Sequence, residues 1–173
     1  MPRTLTILAF GIAALSCVAT SPAQDKKIAM VPVKYDGLKQ EVLKHRGKVV
    51  VVDFWATNCP PCVAALPHYI ELQKKYADKG LVVITISVDA PDNPKKVNRA
   101  NVILNEIQSP LRNLLLDEPY EMWTSKLDFK SLPFAYVFDR RGKWVRFRAA
   151  DAKDPESYDR DVQKAVEQML NEK

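Results

Sequence analysis

Cysteine, histidine and glycine are all scarce in this chain, and each scarcity narrows its function. The 173 residues include three cysteines, two histidines and five glycines. Three cysteines are too few for a disulfide-dense scaffold. Five glycines, even with 12 prolines, exclude a collagen-like or low-complexity chain. No internal repeat and no Gly/Ser-rich linker divides the sequence. A strong charge of one sign is missing too: 26 Lys and Arg stand against 21 Asp and Glu, a net charge of +5. That excess is scattered, so it gives no basic patch and no expectation of nucleic acid. What remains is ordinary. With 47% apolar and 27% charged residues, the composition is that of one soluble globular domain.

The first 23 residues read as a secretory signal peptide. Arg3 supplies a positive start, residues 5–18 form an uncharged stretch of 14, and Ser21-Pro22-Ala23 offers a small-x-small cleavage site before Gln24. A bilayer span needs about 20 residues, so the stretch is short for an anchor. Retention as an anchor is the rival reading, and membrane contact is expected only in that case. Lipidation at Cys17 is a second rival, poorly matched by Ala14-Leu15-Ser16. Cleavage leaves residues 24–173 as a single exported domain, in a periplasm or cell envelope or secreted, with Cys59 and Cys62 as its two cysteines. A bridge between cysteines three apart closes too small a loop to constrain an unfolded chain. This pair is expected to be there for chemistry.

Residues 24–30 read as an exposed lead-in. The pattern then predicts strands over 31–35, 48–55 and 81–88, and helices over 38–46, 62–76 and 94–105. The runs KVVVVDFW and LVVITISV are continuous and apolar, as in strands buried on both faces. A short edge strand is expected at 114–116 and a short helix at 120–127. Strands at 134–138 and 144–147 flank DRRGK, a hairpin signature with Gly142 available for a positive φ. A closing helix is expected over 154–170, with Pro155 in its first turn. Alternating strands and helices followed by a hairpin give an α/β fold, a central mixed sheet with helices on both faces. The charged clusters at 139–143 and 151–161 read as solvated turns and faces.

The chemistry is expected at Cys59-Pro60-Pro61-Cys62, between a buried strand and a helix. A helix N-terminus offers unpaired N–H groups and partial positive charge, both favourable to a thiolate, the species that attacks disulfides. Cys59 is then the exposed nucleophile, and Cys62, one turn into the helix, the resolving thiol. Pro60 and Pro61 stiffen the turn and remove two donors, leaving the Cys62 N–H to face the Cys59 sulfur.

VVDFWATNCPPC closely resembles the active-site segment of thioredoxins, and above all the exported TlpA/ResA-type members of the thioredoxin-like superfamily. Pro67, five residues after Cys62, matches the proline that kinks their active-site helix. Leu132-Pro133 ahead of FAYVFDRRGK matches their cis-proline. The resemblance covers residues 31–170 and implies a thioredoxin fold. It also implies roles for single residues. Asp53 would take the proton of Cys62 during exchange, its rival reading being a hydrogen-bonded strand-end carboxylate. Pro133 and Leu132 would meet the substrate, with the Leu132 backbone pairing to a client strand. Trp55 would pack under the active-site loop, or serve simply as core. Asn58 stands where thioredoxins carry Trp, so the surface around Cys59 is less apolar.

The expectation is a thiol–disulfide oxidoreductase. It would exchange electrons with client proteins that carry disulfides or dithiols and with a donor or acceptor protein, and it would need no cofactor. Two alternatives stand beside it: a module that binds copper through the two thiolates, and a redoxin domain without catalysis. No metal ligand is expected beyond the thiolates, since copper-delivery relatives use a histidine far downstream and none follows His68. His45 and His68 read as helix-face residues. The peroxidase pattern Pro-x-x-x-Thr-x-x-Cys is not met, because Ala56 occupies the threonine position.

Overall fold

In the computed structural model, residues 27–128, 131–151 and 157–172 are described. The expected signal segment, with its expected cleavage site, and Pro155 lie outside them. The organising element is β2 (Val49–Trp55), a run of β-branched and aromatic side chains buried along its whole length. Such a strand needs pairing at both edges and cover on both faces, and both are present. β3 (Leu81–Ser87) runs parallel on one side and β5 (Phe134–Phe138) antiparallel on the other. Beyond them lie β4 (Arg112–Leu116), β1 (Val31–Val33) and β6 (Trp144–Arg148), in the order β1-β4-β3-β2-β5-β6. The sheet is mixed and the fold is α/β, a thioredoxin fold as expected.

Alternation along β2 divides the core. Val50, Val52 and Phe54 face α1 (Tyr35–Leu43) and α4 (Tyr120–Leu127), where Leu38, Trp123 and Leu127 cover them. Val49 and Val51 face α2 (Pro60–Tyr76) and α5 (Ser157–Asn171), against Tyr69, Tyr76, Tyr158, Val162 and Val166. α3 (Pro94–Glu106), capped by the Asn93 side chain on the Lys96 N–H, packs Ala100, Ile103 and Leu104 beside Trp55 and Cys62. The hairpin closes as expected, with Gly142 at φ +85° and the Asp139 N–H on the Lys143 carbonyl.

Four expectations need correction. β4 is an interior strand, paired to β1 and β3, and the edge is β1. The described part of the lead-in, residues 27–30, is not simply exposed. Met30 is buried, Ile28 exchanges hydrogen bonds with the Asn105 side chain, and the Met30 N–H donates to Asn101 Oδ1. α1 begins three residues early and ends at Leu43, because tight turns at His45 and Arg46 lead into Gly47 at φ +86°. His45 therefore sits in a turn and not on a helix face. Asp139 is buried, its carboxylate accepting from the N–H groups of Arg141 and Lys143, so that cluster is not merely solvated.

One buried amide ties β3 to β4. Asn113 accepts from the hydroxyls of Thr85 at 2.8 Å and Ser109 at 3.0 Å, and donates to the Leu111 carbonyl. Removing it strands two buried hydroxyls. Asn113→Ala should lower stability by about 1–3 kcal/mol. The check is a lower urea midpoint at unchanged slope.

Candidate active site

β2 ends at Trp55, and four residues later Cys59 stands at the N-cap of α2, half-buried. Pro60 and Pro61 begin the helix, where a proline forfeits no intrahelical bond. Cys62, one turn in, is 2% exposed. The two sulfurs are joined as a disulfide, with Cα atoms 5.3 Å apart. The Cys59 N–H donates to Ala56 and its carbonyl accepts from Val63, which fixes the turn that presents the pair. Pro60, Pro61 and Pro67 are all exposed, and Pro67 lies inside α2.

The loop before Cys59 is held from below by Asp89, a buried residue that sequence reasoning missed. Its carboxylate accepts from the Thr57 N–H at 2.9 Å, the Thr57 hydroxyl at 2.8 Å and the Ser87 hydroxyl at 3.0 Å. A signal was available: Thr57, Ser87 and Asp89 are short polar residues at the ends of the two most apolar strands.

Trp55, Cys59, Cys62 and Leu132 come together in one cluster with Leu66 and Leu104. The Leu132-Pro133 peptide is cis, and the Pro133 carbonyl, just before β5, accepts from the Ala149 N–H. Of the expected site residues, Trp55 and Leu132 thus share one cluster with the dithiol.

Asp53 lies on the β2 face that carries Val51 and Trp55, under α2 and α5. It is 2% exposed, and its Oδ2 has no hydrogen-bond partner among the described residues. Its sheet neighbours offer none: Ala135 is apolar, and the Thr85 hydroxyl is committed to Asn113. Burial, and after it the charge of Asp159, pushes the Asp53 carboxyl well above the usual range, while the nearby Tyr69 hydroxyl acts the other way. The Tyr69 phenol is itself pushed up by burial and then by Asp53. Neither Tyr69 nor Tyr158 was singled out in the sequence, although they fall on the buried stripes of their helices. His68 is half-buried and packs edge-on to Tyr69, ring centroids 5.9 Å apart. Among the described residues, no three His, Cys, Asp or Glu side chains are grouped to hold a metal ion, and no helix is long and apolar enough to cross a membrane.

The sequence profile of the AhpC/TSA family matches residues 22–148, well over half of the chain. The chain belongs to the AhpC/TSA family. Within this thioredoxin-like family its likeness is to thiol–disulfide proteins. It is 31% identical over 106 residues to the thioredoxin-like protein YneN of Bacillus subtilis, covering 61% of this chain and 59% of that one. It is 39% identical over 57 residues, 33% of each chain, to the thiol–disulfide oxidoreductase ResA of Bacillus thuringiensis. The chain therefore spans less than two thirds of either relative. A solved structure of a thiol:disulfide interchange protein DsbE from Chlorobium tepidum superposes with a TM-score of 0.55 at 27% identity, over 75% of this chain and 85% of that one. In this AhpC/TSA chain Ala56 stands three residues before Cys59, so the motif is the dithiol CPPC and not the threonine-bearing peroxidase pattern.

The raised Asp53 carboxyl sets a sign for stability against pH. Between the ordinary carboxylate range and its raised value, the folded chain holds a proton that the unfolded chain releases, so this contribution to stability is lost as pH rises. Asp53→Asn should be more stable than the unsubstituted chain at pH 8 and show a flatter decline between pH 5 and pH 8. Urea unfolding at a series of pH values measures both.

Proposed function

We propose that the protein is a thiol–disulfide oxidoreductase whose reacting pair is Cys59 and Cys62. The observation that carries the reading is the asymmetry of the pair: both cysteines sit at one helix N-terminus, Cys59 reaching solvent and Cys62 sealed beneath it. The Cys59 thiolate attacks one sulfur of a client disulfide. A Cys59–client bond forms, the client bond breaks, and the leaving thiolate takes a proton. Cys62 then gives its proton to the Asp53 carboxylate and attacks the Cys59 sulfur, which releases the second client thiolate. Two electrons pass to the client and the Cys59–Cys62 disulfide closes. The reverse sequence oxidises a client dithiol, with direction set by potential and partner.

A raised pKa makes the ionised Asp53 a stronger proton acceptor, nearer a thiol in proton affinity, and also a scarcer one, so the fraction of chains ready to accept the Cys62 proton grows as pH rises. Asp53 is therefore the proton carrier, and Leu132 and Pro133, beside the dithiol, are the surface that receives a client strand. The helix turn supplies Pro60 and Pro61 as stiffeners. Clients are disulfide- or dithiol-bearing proteins, and a separate protein supplies or removes electrons. The site of action is outside the cytoplasm, in a cell envelope or secreted space, with residues 1–23 as the export signal.

Reduction of insulin by dithiothreitol tests the chemistry. The wild-type chain should accelerate it, Cys59→Ser should fall to background, and Cys62→Ser should accumulate a client-linked mixed disulfide on Cys59. Turnover retained by Cys59→Ser would overturn the assignment. So would copper retained at one equivalent without insulin turnover, or hydrogen peroxide consumed faster than insulin disulfides. When the full chain is expressed with an intact export pathway, the exported product should begin at Gln24, read from its intact mass. A product that keeps residues 1–23 contradicts cleavage.

A further inference from the structure

Five buried polar atoms without a hydrogen-bond partner among the described residues belong to one group of neighbouring side chains. They are Asp53 Oδ2, Tyr69 OH, Tyr158 OH, Asp159 Oδ1 and His68 Nε2. Buried polar atoms are nearly always paired, and one left unpaired is destabilising. Such a concentration at the junction of β2, α2 and α5 calls for a physical reason.

The group is graded from core to surface. Asp53 and Tyr69 are sealed, Tyr158 is 4% exposed, and Asp159 and His68 are half-buried. It is also contiguous. Tyr69 approaches the Asp53 carboxyl on one side and the Tyr158 hydroxyl on the other, close enough to interact though not in hydrogen-bond geometry. Asp159, one residue beyond Tyr158, acts electrostatically on Asp53, and the charge of His68 acts on Asp159. His68 lines a surface cleft with Glu71 and Gln163, which opens the outer end to solvent.

Building on the oxidoreductase reading, we propose that Tyr69, Tyr158, Asp159 and His68 form a proton path between Asp53 and solvent, completed by bridging water. Polar walls with several unpaired donors and acceptors are the setting in which buried water is held. The balance is simple. Cys62 gives one proton to the Asp53 carboxylate. Asp53 passes a proton to the Tyr69 hydroxyl as Tyr69 passes its own to Tyr158. Tyr158 hands one to the Asp159 and His68 edge, and one proton leaves to water. Asp53 is a carboxylate again, and no electron moves along the path. Both phenols stay neutral, because burial holds their hydroxyls above the ordinary phenol range. The groups facing Asp53 are Tyr69 from α2, Tyr158 and Asp159 from α5, and Thr85 and Ala135 from the flanking strands.

Tyr158→Phe keeps the ring and removes only the hydroxyl, and Asp159→Asn keeps the size of a half-buried side chain while removing its charge. Each reduced full-length variant is oxidised in a single turnover by oxidised glutathione, followed by tryptophan fluorescence in light and heavy water from pH 6 to 9. The path predicts that both variants close the Cys59–Cys62 disulfide at least five-fold more slowly at pH 7. It also predicts a larger solvent isotope effect, an unchanged midpoint potential, and a deficit that shrinks towards pH 9. Closure at the wild-type rate and isotope effect in both variants overturns the path. A slowed step that comes with a shifted potential and an unchanged isotope effect also overturns it, since that marks a structural role. Failure of the wild-type chain to reduce insulin would sink the client reading alone, because oxidation by glutathione reports on the path without any client.

Discussion

A carboxyl group buried in the middle of the central strand is the constraint on which the account turns. Every other side chain of β2 is apolar and wholly covered, and Asp53 interrupts that run at the face under α2 and α5. An ionised carboxylate there is costly unless paired, and its strand neighbours provide no donor. An apolar residue would satisfy the sheet better. The proposed proton transfer gives the carboxyl a purpose: Cys59 caps α2 four residues beyond the end of β2, and Cys62 lies one turn into that helix.

Rigid presentation is the second half of the arrangement. The loop between β2 and α2 is braced by Asp89 through Thr57 and Ser87, all anchored to the ends of β2 and β3. The Ala56–Cys59 backbone bond and two successive prolines complete the turn. Cys59, half-buried, and Cys62, 2% exposed, are thereby held at different depths. Leu132, in front of the cis proline, joins the same cluster, so the surface proposed to receive a client is continuous with the redox pair.

Much of this was legible in the sequence because it is local. Continuous β-branched runs mark β2 and β3, the CPPC segment marks the strand-to-helix junction, and DRRGK marks the hairpin. What escaped is what depends on pairing order or on distant partners. β4 looked like an edge because a short strand carries no sign of which neighbours flank it, whereas Leu114–Leu116 is buried by strands on both sides. The lead-in looked exposed because its anchors, Asn101 and Asn105, lie one helical turn apart on α3, 71 and 77 residues away. Tyr69 and Tyr158 passed as unremarked members of amphipathic helices, and only the fold sets their hydroxyls around Asp53. Asp139 looked solvated, yet it folds its carboxylate onto the backbone of its own turn.

Cys59 and Cys62 should form a reversible two-electron couple. Equilibration of the full-length chain in graded dithiol buffers, followed by tryptophan fluorescence, tests it directly. The account predicts a single reversible transition of two electrons, lying between the thioredoxin-like value of about −270 mV and the oxidant value of about −120 mV. A pair that stays in one redox state across that whole range would contradict it.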